Sequence, residues 1–218
     1  MSVGDALPFD VNWERDDHRI TLCVVGSGGV GKSCVTVRYL KDEFVEYYDP
    51  TIEESYFKEV ECGTRTYDVE IIDTAGQDEF ADHRNSALAQ GDGFLVLFAI
   101  NSPYSWQELK ELRERIVREH EDKGELPMVI VGNKKDLDSH RQVPFDDIVD
   151  YCRSIQCPFI ETSAKTGLNI TEAFQLLIEQ VKLVNPTILE EQWHYKIANQ
   201  KMRNGHIPSR SSKECCIL

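Results

Sequence analysis

The sequence predicts a doubly wound α/β fold, with a mostly parallel sheet of six strands and helices on its flanks. Apolar strand-like runs alternate with amphipathic segments of helical length between residues 19 and 184. The run Gly93–Ala99 is continuously apolar, which is typical of a strand buried on both faces. Two segments of period-2 patterning are joined by the short link 63–64, and this hairpin supplies one antiparallel edge strand.

Each element follows from its own pattern. The sequence predicts strands over 19–25, 55–62, 65–73, 93–99, 128–132 and 157–161, and helices over 32–42, 82–90, 104–121, 145–155 and 169–184. Within the hairpin, Tyr67, Val69 and Ile71 share one face and are expected to point into the core. Pro186 ends the last helix, because proline has no N–H to continue the ladder.

Composition describes an ordinary globular protein of 218 residues, 41% apolar and 28% charged. Its net charge of −14 argues against a nucleic-acid surface, which requires a basic face. None of the seven cysteines forms a C-x-x-C pair, which indicates reduced, buried thiols in a cytosolic protein. No apolar run approaches the ~20 residues of a membrane span, and the first 19 residues lack a signal-peptide core.

The chain divides into three segments. Residues 1–18 form an acidic N-terminal extension, 19–184 form one globular domain, and 185–218 form a partly disordered, mildly basic tail. Residues 193–218 contain five Lys and Arg against one Glu, a net of +4 on an otherwise acidic chain. A basic tail on an acidic body is typical of a protein that lies against an anionic membrane.

A phosphate-binding loop lies between the first strand and the first helix. The segment Gly26–Ser33 reads GSGGVGKS, which matches G-x-x-x-x-G-K-S in the strand–loop–helix context that the motif requires. Its backbone amides and the helix N-terminus favour an anion, Lys32 adds a full charge, and the Ser33 hydroxyl is suited to Mg²⁺. The predicted nucleotide contacts here are Gly26, Ser27, Gly28, Gly29, Val30, Gly31, Lys32, Ser33 and Cys34.

A second motif, DTAGQ over 73–77, follows the third strand. Asp73 at a strand tip is suited to hold Mg²⁺ beside the phosphate loop. Gly76 allows the backbone N–H to approach a terminal phosphate closely. Gln77 can orient an attacking water, because its amide both donates and accepts hydrogen bonds. Together these residues predict phosphoryl transfer to water.

Base selection is predicted from the motif NKKD over 133–136, which follows the fifth strand. The carboxylate of Asp136 can accept from both N1–H and the exocyclic amine of guanine, an edge that adenine cannot match. The Lys134 stem can cover one face of the ring, and Phe44 can cover the purine from another side. A further motif after the last strand, Glu161–Lys165, would close over the base with its backbone amides, and its predicted nucleotide contacts are Ser163, Ala164 and Lys165.

A fourth motif is the loop before the edge strand, over residues 48–56. Thr51 can give Mg²⁺ a second hydroxyl only when a terminal phosphate is present, which would order the loop. The loop consists of Tyr48, Asp49, Pro50, Thr51, Ile52, Glu53, Glu54, Ser55 and Tyr56.

In this order and spacing, the motifs resemble the Ras family of small GTPases over residues 19–184. The resemblance implies the G domain of the P-loop NTPases, with Lys32 and Gln77 in catalysis and Tyr48, Thr51 and Gly76 at the nucleotide. It also implies that 48–56 is the effector segment of a monomeric switch, whose partners are effectors, a GTPase-activating protein and an exchange factor. Gln77 favours the Ras branch over the Rap branch, whereas Glu54 and the segment 81–85 depart from the usual pattern.

The last four residues, Cys215–Leu218, match the C-a-a-X prenylation signal, and leucine at the final position favours geranylgeranylation of Cys215. A competing interpretation, which resembles Rab-type tails, lipidates Cys216 as well. One lipid binds a membrane only marginally, so the basic tail would supply the second signal. We therefore expect this protein at the cytoplasmic face of a membrane, the plasma membrane foremost.

The sequence thus favours a GTPase that binds GTP and GDP with Mg²⁺, hydrolyses GTP slowly and switches effector binding in signal transduction. A GTP-bound scaffold with negligible hydrolysis is the alternative, and the unusual segment 81–85 leaves room for it. A third hypothesis, a P-loop ATPase or kinase, is disfavoured by the pairing of Asn133 with Asp136.

Overall fold

A six-stranded sheet forms the centre of the molecule. The computed structural model describes residues 19–44, 53–62, 65–74 and 88–187. The strand order is β2-β3-β1-β4-β5-β6; β2 runs antiparallel to β3 and every other neighbouring pair is parallel. The fold class expected from the sequence is therefore confirmed. The strands are β1 (Ile20–Gly26), β2 (Glu53–Cys62), β3 (Arg65–Thr74), β4 (Gly93–Ala99), β5 (Met128–Asn133) and β6 (Phe159–Glu161).

Helices connect the parallel strands. They are α1 (Lys32–Lys41), α2 (Pro103–Glu119), α3 (Phe145–Ser154) and α4 (Ile170–Val184), with short 3₁₀ helices at Glu121–Lys123 and Lys135–His140. The Ser102 hydroxyl caps α2 by accepting from the Ser105 N–H at 3.2 Å, and Pro103 follows as the first helical residue. The expected helix over 82–90 lies largely outside the described residues, although 88–90 are helical.

Two hydrophobic cores lie on opposite faces of the sheet. In the first, α1 and α4 pack over the strands, and Tyr39 stacks on Phe174 with ring centroids 3.9 Å apart. In the second, α2 and α3 pack on the other face, where Trp106 lies 4.7 Å from Phe98 between centroids. Successive residues of β4 alternate between the two cores, and all seven are buried, as the continuous apolar run predicted.

The hairpin has the predicted inner face. Tyr67, Val69 and Ile71 are all at most 3% exposed, and all three belong to the first core. The β2–β3 register runs from Glu53 opposite Thr74 to Cys62 opposite Arg65, so β2 is the antiparallel edge strand.

Four cysteines whose side chains the structure describes are not in a disulfide: Cys23, Cys34, Cys152 and Cys157. Cys23 and Cys152 are buried and the other two are partly buried, in line with the expectation of reduced thiols. Burial raises the pKa of Cys152 to about 12 and that of Cys157 to about 11, so both remain protonated and unreactive. In the described part of the chain, no helix is long and apolar enough to cross a membrane.

We predict that Phe174→Ala lowers the free energy of unfolding by about 3–5 kcal/mol, because it leaves a cavity in the first core and removes the stack on Tyr39. Leu183→Ala is the matched control: it lies on the same helix but is 74% exposed, so it should change stability by about 0.5 kcal/mol or less. Urea unfolding of both variants at one fixed GDP concentration measures the difference. Equal unfolding midpoints for the two variants would contradict the packing described.

Candidate nucleotide-binding site

The strand register places two of the sequence motifs at the carboxyl ends of the parallel strands. Asp73 at the end of β3 lies opposite Val24 of β1, and Asn133 at the end of β5 lies opposite Ala99 of β4. After β1, the chain adds β2 and β3 on one side of that strand and then β4, β5 and β6 on its other side. The carboxyl end of β1 is therefore the topological switch point of the sheet. In open α/β sheets, ligands bind at that place, outside the carboxyl ends of the strands.

Two glycines of the loop Gly26–Ser33 are required by close backbone and side-chain contacts. A Cβ at Gly26 would lie 2.4 Å from the carbonyl oxygen of Leu97. Gly31 has a φ of +93°, and a Cβ there would lie 2.6 Å from Nδ2 of Asn133. α1 begins directly after Gly31, so its first unpaired N–H groups lie at the end of the loop. This loop has the backbone of an anion site.

Lys32 arches back over that loop. Its ammonium donates to the carbonyl oxygens of Gly26 and Ser27, both at 3.0 Å, and only 6% of the residue is exposed. The positive charge is therefore held above the loop by the loop's own carbonyl groups. A nucleotide phosphate in the loop would meet this ammonium together with the helix N-terminus.

Asp73 is the buried carboxylate of the site, with 0% exposure. Neither of its oxygens accepts a well-aligned hydrogen bond from the described residues. Burial raises its pKa from 3.8 to about 6, although the nearby Ser33 hydroxyl and the Lys32 charge act in the opposite direction. A buried carboxylate that accepts no well-aligned hydrogen bond from the described residues, beside a serine hydroxyl, is a donor set suited to Mg²⁺. The residues present thus fit the predicted metal.

Cys34 lies in the first turn of α1, directly after Ser33. Burial raises the pKa of its thiol, the charge of Asp73 raises it further, and the charge of Lys134 lowers it. Both charged groups are therefore near this side chain. The assignment of Cys34 as a nucleotide contact stays a prediction.

Asn133 connects the phosphate loop, Gly26–Ser33, to residues 162–165, which form the base loop. Its buried side chain donates from Nδ2 to the Val30 carbonyl at 2.9 Å. Its Oδ1 accepts from the Thr162 hydroxyl at 3.2 Å and from the Ala164 N–H at 3.3 Å. One amide group thereby fixes two predicted binding segments relative to each other. The role of Thr162 in this contact was not predicted from the sequence.

The other two base residues of the NKKD motif are also held in place. Lys134 has a left-handed backbone with φ +67°, and its ammonium donates to the Gly29 carbonyl at 2.6 Å. Its stem therefore extends from the end of β5 to the phosphate loop. The exposed carboxylate of Asp136 accepts from the Ser163 hydroxyl at 2.6 Å. The sequence predicted only a backbone role for Ser163, so this side-chain contact is an addition.

A charge cluster supports the base loop from behind. The Lys135 ammonium lies 2.8 Å from Glu161 Oε2, and Nη2 of Arg141 lies 2.7 Å from Glu161 Oε1. Both cations also contact Asp138, at 3.0 and 2.7 Å. The hydrogen bond to Glu161 raises the pKa of Lys135. The spacing of Lys135 and Asp138 on one turn was visible in the sequence, but their common partner on β6 was not.

The remaining predicted residues divide into two groups. Gly28 and Lys165 are exposed, and Phe44 is 39% exposed at the end of a described segment. Within the effector segment, Glu53, Glu54, Ser55 and Tyr56 lie on β2, where the Tyr56 hydroxyl donates to the Glu54 carboxylate. The predicted residues that lie outside the described part of the chain are Tyr48, Asp49, Pro50, Thr51, Ile52, Gly76, Gln77 and Cys215.

Comparison with known proteins agrees with this geometry. The model of the Ras family matches residues 21–183. This chain belongs to the Ras family of small GTPases. It is 35% identical over 199 residues to Ras-like protein rasZ of Dictyostelium discoideum, covering 91% of this chain and 92% of that protein. It is 36% identical over 205 residues to Ras-related protein Ral-B of Mus musculus and to ralB-B of Xenopus laevis, covering 92% of this chain and 93% of each relative.

Family membership identifies the general activity of this small GTPase. It is a GTP-binding, GTP-hydrolysing signalling protein whose partners are, in general, effectors, activating proteins and exchange factors. The expectation drawn from the sequence motifs is confirmed at that level. Within the site, the loop Gly26–Ser33 stays the predicted phosphate side, and Asn133, Lys134 and Asp136 stay the predicted guanine side.

We predict that Asp73→Asn stabilises the metal-free GTPase by about 1–3 kcal/mol at pH 7, since it removes a buried charge. The folded pKa of about 6 lies above the unfolded value near 3.8, so ionisation weakens the fold as pH rises through this interval. The gain from Asn should therefore shrink as the pH falls from 7 to 4. Urea unfolding in EDTA at both pH values measures it.

Asp150→Asn is the control, because that carboxylate is 75% exposed and its ion pair with Arg153 lies at the surface. Its effect on the free energy of unfolding should stay within about 0.5 kcal/mol at either pH. A stabilisation by Asp73→Asn that is the same at pH 4 and pH 7 would show that the buried charge is not its cause.

Proposed function

We propose that this GTPase is a Mg²⁺-dependent switch that hydrolyses GTP slowly and changes its effector binding at a membrane. The observation that carries the proposal is the side chain of Asn133. It joins the Val30 carbonyl of the phosphate loop to Thr162 and Ala164 of the base loop. The phosphate side and the guanine side are thereby set at one fixed separation, as a single bound nucleotide requires.

Mg²⁺ would be held by Ser33 and Asp73, with Thr51 added when the terminal phosphate is present. The buried Asp73 carboxylate, to which the described part of the chain donates no well-aligned hydrogen bond, supports this assignment. When bound, the ion supplies charge neutralisation at the β- and γ-phosphate oxygens. Lys32 lies on the same side of the site and orients the phosphates through its ammonium.

Guanine would be selected by Asp136, whose carboxylate is oriented by the Ser163 hydroxyl. The Lys134 stem, which extends to Gly29, would cover one face of the base and Phe44 another. Adenine offers the Asp136 carboxylate no matching pair of donors, so adenine nucleotides should compete poorly. This pairing argues against the ATPase or kinase alternative.

Hydrolysis itself would depend on Gln77, which positions the attacking water, while Thr51 and Gly76 contact the γ-phosphate. Loss of that phosphate would then release both loops and end effector binding along 48–56. Gln77 also supports placement in the Ras branch. The scaffold alternative differs in one respect only: GTP would stay bound and intact.

We expect single-turnover hydrolysis of GTP on the Mg²⁺-loaded wild type to be slow but measurable, and to fall at least about tenfold in Gln77→Leu, because leucine cannot orient water. Gly28→Val should act in the same direction by crowding the phosphate loop. Gln107→Leu makes the same change on the exposed face of α2 and should hydrolyse GTP at the wild-type rate. Intact GTP in both wild type and Gln77→Leu would instead support the scaffold.

Membrane attachment would use geranylgeranyl at Cys215 together with the basic residues of 193–218. Each basic residue adds about 1 kcal/mol near an anionic leaflet. One prenyl chain alone binds marginally, so both signals are needed. The site of action would be the cytoplasmic face of the plasma membrane.

We predict that Cys215→Ser abolishes both the prenyl mass and the sedimentation of the expressed protein with phosphatidylserine vesicles. Cys216→Ser is the matched variant, since it keeps a C-a-a-X ending and should retain one prenyl group. Intact-mass measurement of both variants separates the two lipidation schemes. Two prenyl groups on the wild type and one on Cys216→Ser would overturn single prenylation in favour of the Rab-type tail.

A further inference from the structure

Arg38 makes long-range contacts that its place on a helix does not predict. It lies in the last turn of α1, and its side chain is 15% exposed. Its Nε donates to the Ala164 carbonyl at 2.8 Å and its Nη2 donates to the Lys165 carbonyl at 2.9 Å. Its Nη1 donates to the carbonyl and the carboxylate of Asp42, at 2.8 and 3.2 Å. One guanidinium thus connects two segments that are more than 120 residues apart.

The first of these segments is the base loop, in which Arg38 contacts Ala164 and Lys165. The N–H of Ala164 donates to Asn133 Oδ1, and its carbonyl accepts from Arg38. The same residue is therefore held from both sides, by the guanine motif and by α1. Without Arg38, the carbonyls of Ala164 and Lys165 would lose their charged donor, and the loop would be fixed on the Asn133 side only.

The second segment is the C-terminal end of α1. Asp42 caps the helix in a left-handed conformation, φ +55°, and its N–H already bonds to the Arg38 carbonyl. Phe44, the residue expected to cover the purine from another side, follows two positions later. Arg38 therefore contacts the base loop directly and, through Asp42, the short segment that leads to Phe44.

We propose that Arg38 is a positioning residue that prolongs the lifetime of bound nucleotide by holding Ser163–Lys165 against the guanine. The inference rests on the proposed function, because it requires a guanine nucleotide at this site. Arg38 contacts the base side, and none of its hydrogen bonds within the described residues goes to the loop Gly26–Ser33. Its loss should therefore speed nucleotide dissociation and leave the hydrolysis step unchanged.

The test is the dissociation rate of fluorescent N-methylanthraniloyl-GDP from the Mg²⁺-loaded full-length protein. We expect Arg38→Gln to release it about tenfold faster than wild type, the effect of losing roughly one charge-assisted hydrogen bond. Arg38→Lys should recover part of the difference, because an ammonium can reach one carbonyl but lacks the planar fork. Lys41→Gln removes the same charge from an exposed position of α1 and should change the rate less than about twofold.

Single-turnover GTP hydrolysis is measured on the same variants, since a general loosening of the fold would change both rates. Faster dissociation of Arg38→Gln with unchanged hydrolysis and partial recovery in Arg38→Lys supports the positioning role. Equal dissociation from wild type and Arg38→Gln overturns it, as does an equal loss of hydrolysis. If Arg38→Gln does not fold, Arg38→Lys alone must still release nucleotide at least about threefold faster.

The controls separate this inference from the function on which it rests. A wild-type protein that retains no guanine nucleotide would overturn the proposed function itself. A wild-type protein that retains GDP slowly, with the same rate in Arg38→Gln, would overturn only the role of Arg38.

Discussion

The site depends on one buried amide group, that of Asn133. The side chain of asparagine offers two donors and an oxygen with two lone pairs, and here the oxygen uses both lone pairs while one donor is bonded to Val30. Each of its three partners belongs to a segment that the sheet alone does not orient. Removal of this group would leave buried polar atoms of two loops without partners, which costs more than one ordinary hydrogen bond contributes. The phosphate and base sides therefore form one unit.

The parallel sheet places the Asp73 carboxylate in the site, and the burial of this carboxylate lowers the stability of the fold. Strand register places Asp73 beside β1 and the phosphate loop, where burial is complete. A carboxylate there raises the free energy of the folded state unless a cation is near, and its raised pKa is the sign of that cost. A hydrophobic residue would suit the fold better at this position. The proposed metal binding accounts for a carboxylate here, whereas packing does not, as is typical of functional sites.

Much of the fold and part of the site could be predicted from the sequence, because both rest on local patterns. The run Gly93–Ala99 and the alternation in the hairpin predict strands, since burial on one or two faces is encoded in the order of side chains. Strand β6 is shorter than expected and begins at Phe159. The two preceding residues, Cys157 and Pro158, cannot donate backbone hydrogen bonds to a neighbouring strand. The N–H of Cys157 donates to the Cys152 carbonyl at the end of α3, and Pro158 has no N–H.

The parts that the sequence did not predict depend on tertiary contacts. The 3₁₀ helix Lys135–His140 follows a left-handed Lys134, a conformation that a lysine adopts only when its surroundings hold it. Arg38 lies in the polar pattern of a helix, which by itself indicates a solvated side chain. Its partners on the base loop become neighbours only when the sheet and α4 are in place. Local periodicity carries no information on such pairings, whereas the nucleotide motifs carry it through their fixed order.

In the proposed binding mode, nucleotide retention is a property of connected loops and not of single contacts. The N–H of Ala164 donates to Asn133, and its carbonyl accepts from Arg38. Each of these hydrogen bonds restricts the movement of Ala164 and so helps to keep the other one formed. Contributions from residues in one such network do not add, because breaking the first bond already releases part of what the second one holds. A protein that promotes exchange thus needs to displace only one member of the network to weaken the rest. The same connectivity that fixes the base in place makes its release cooperative.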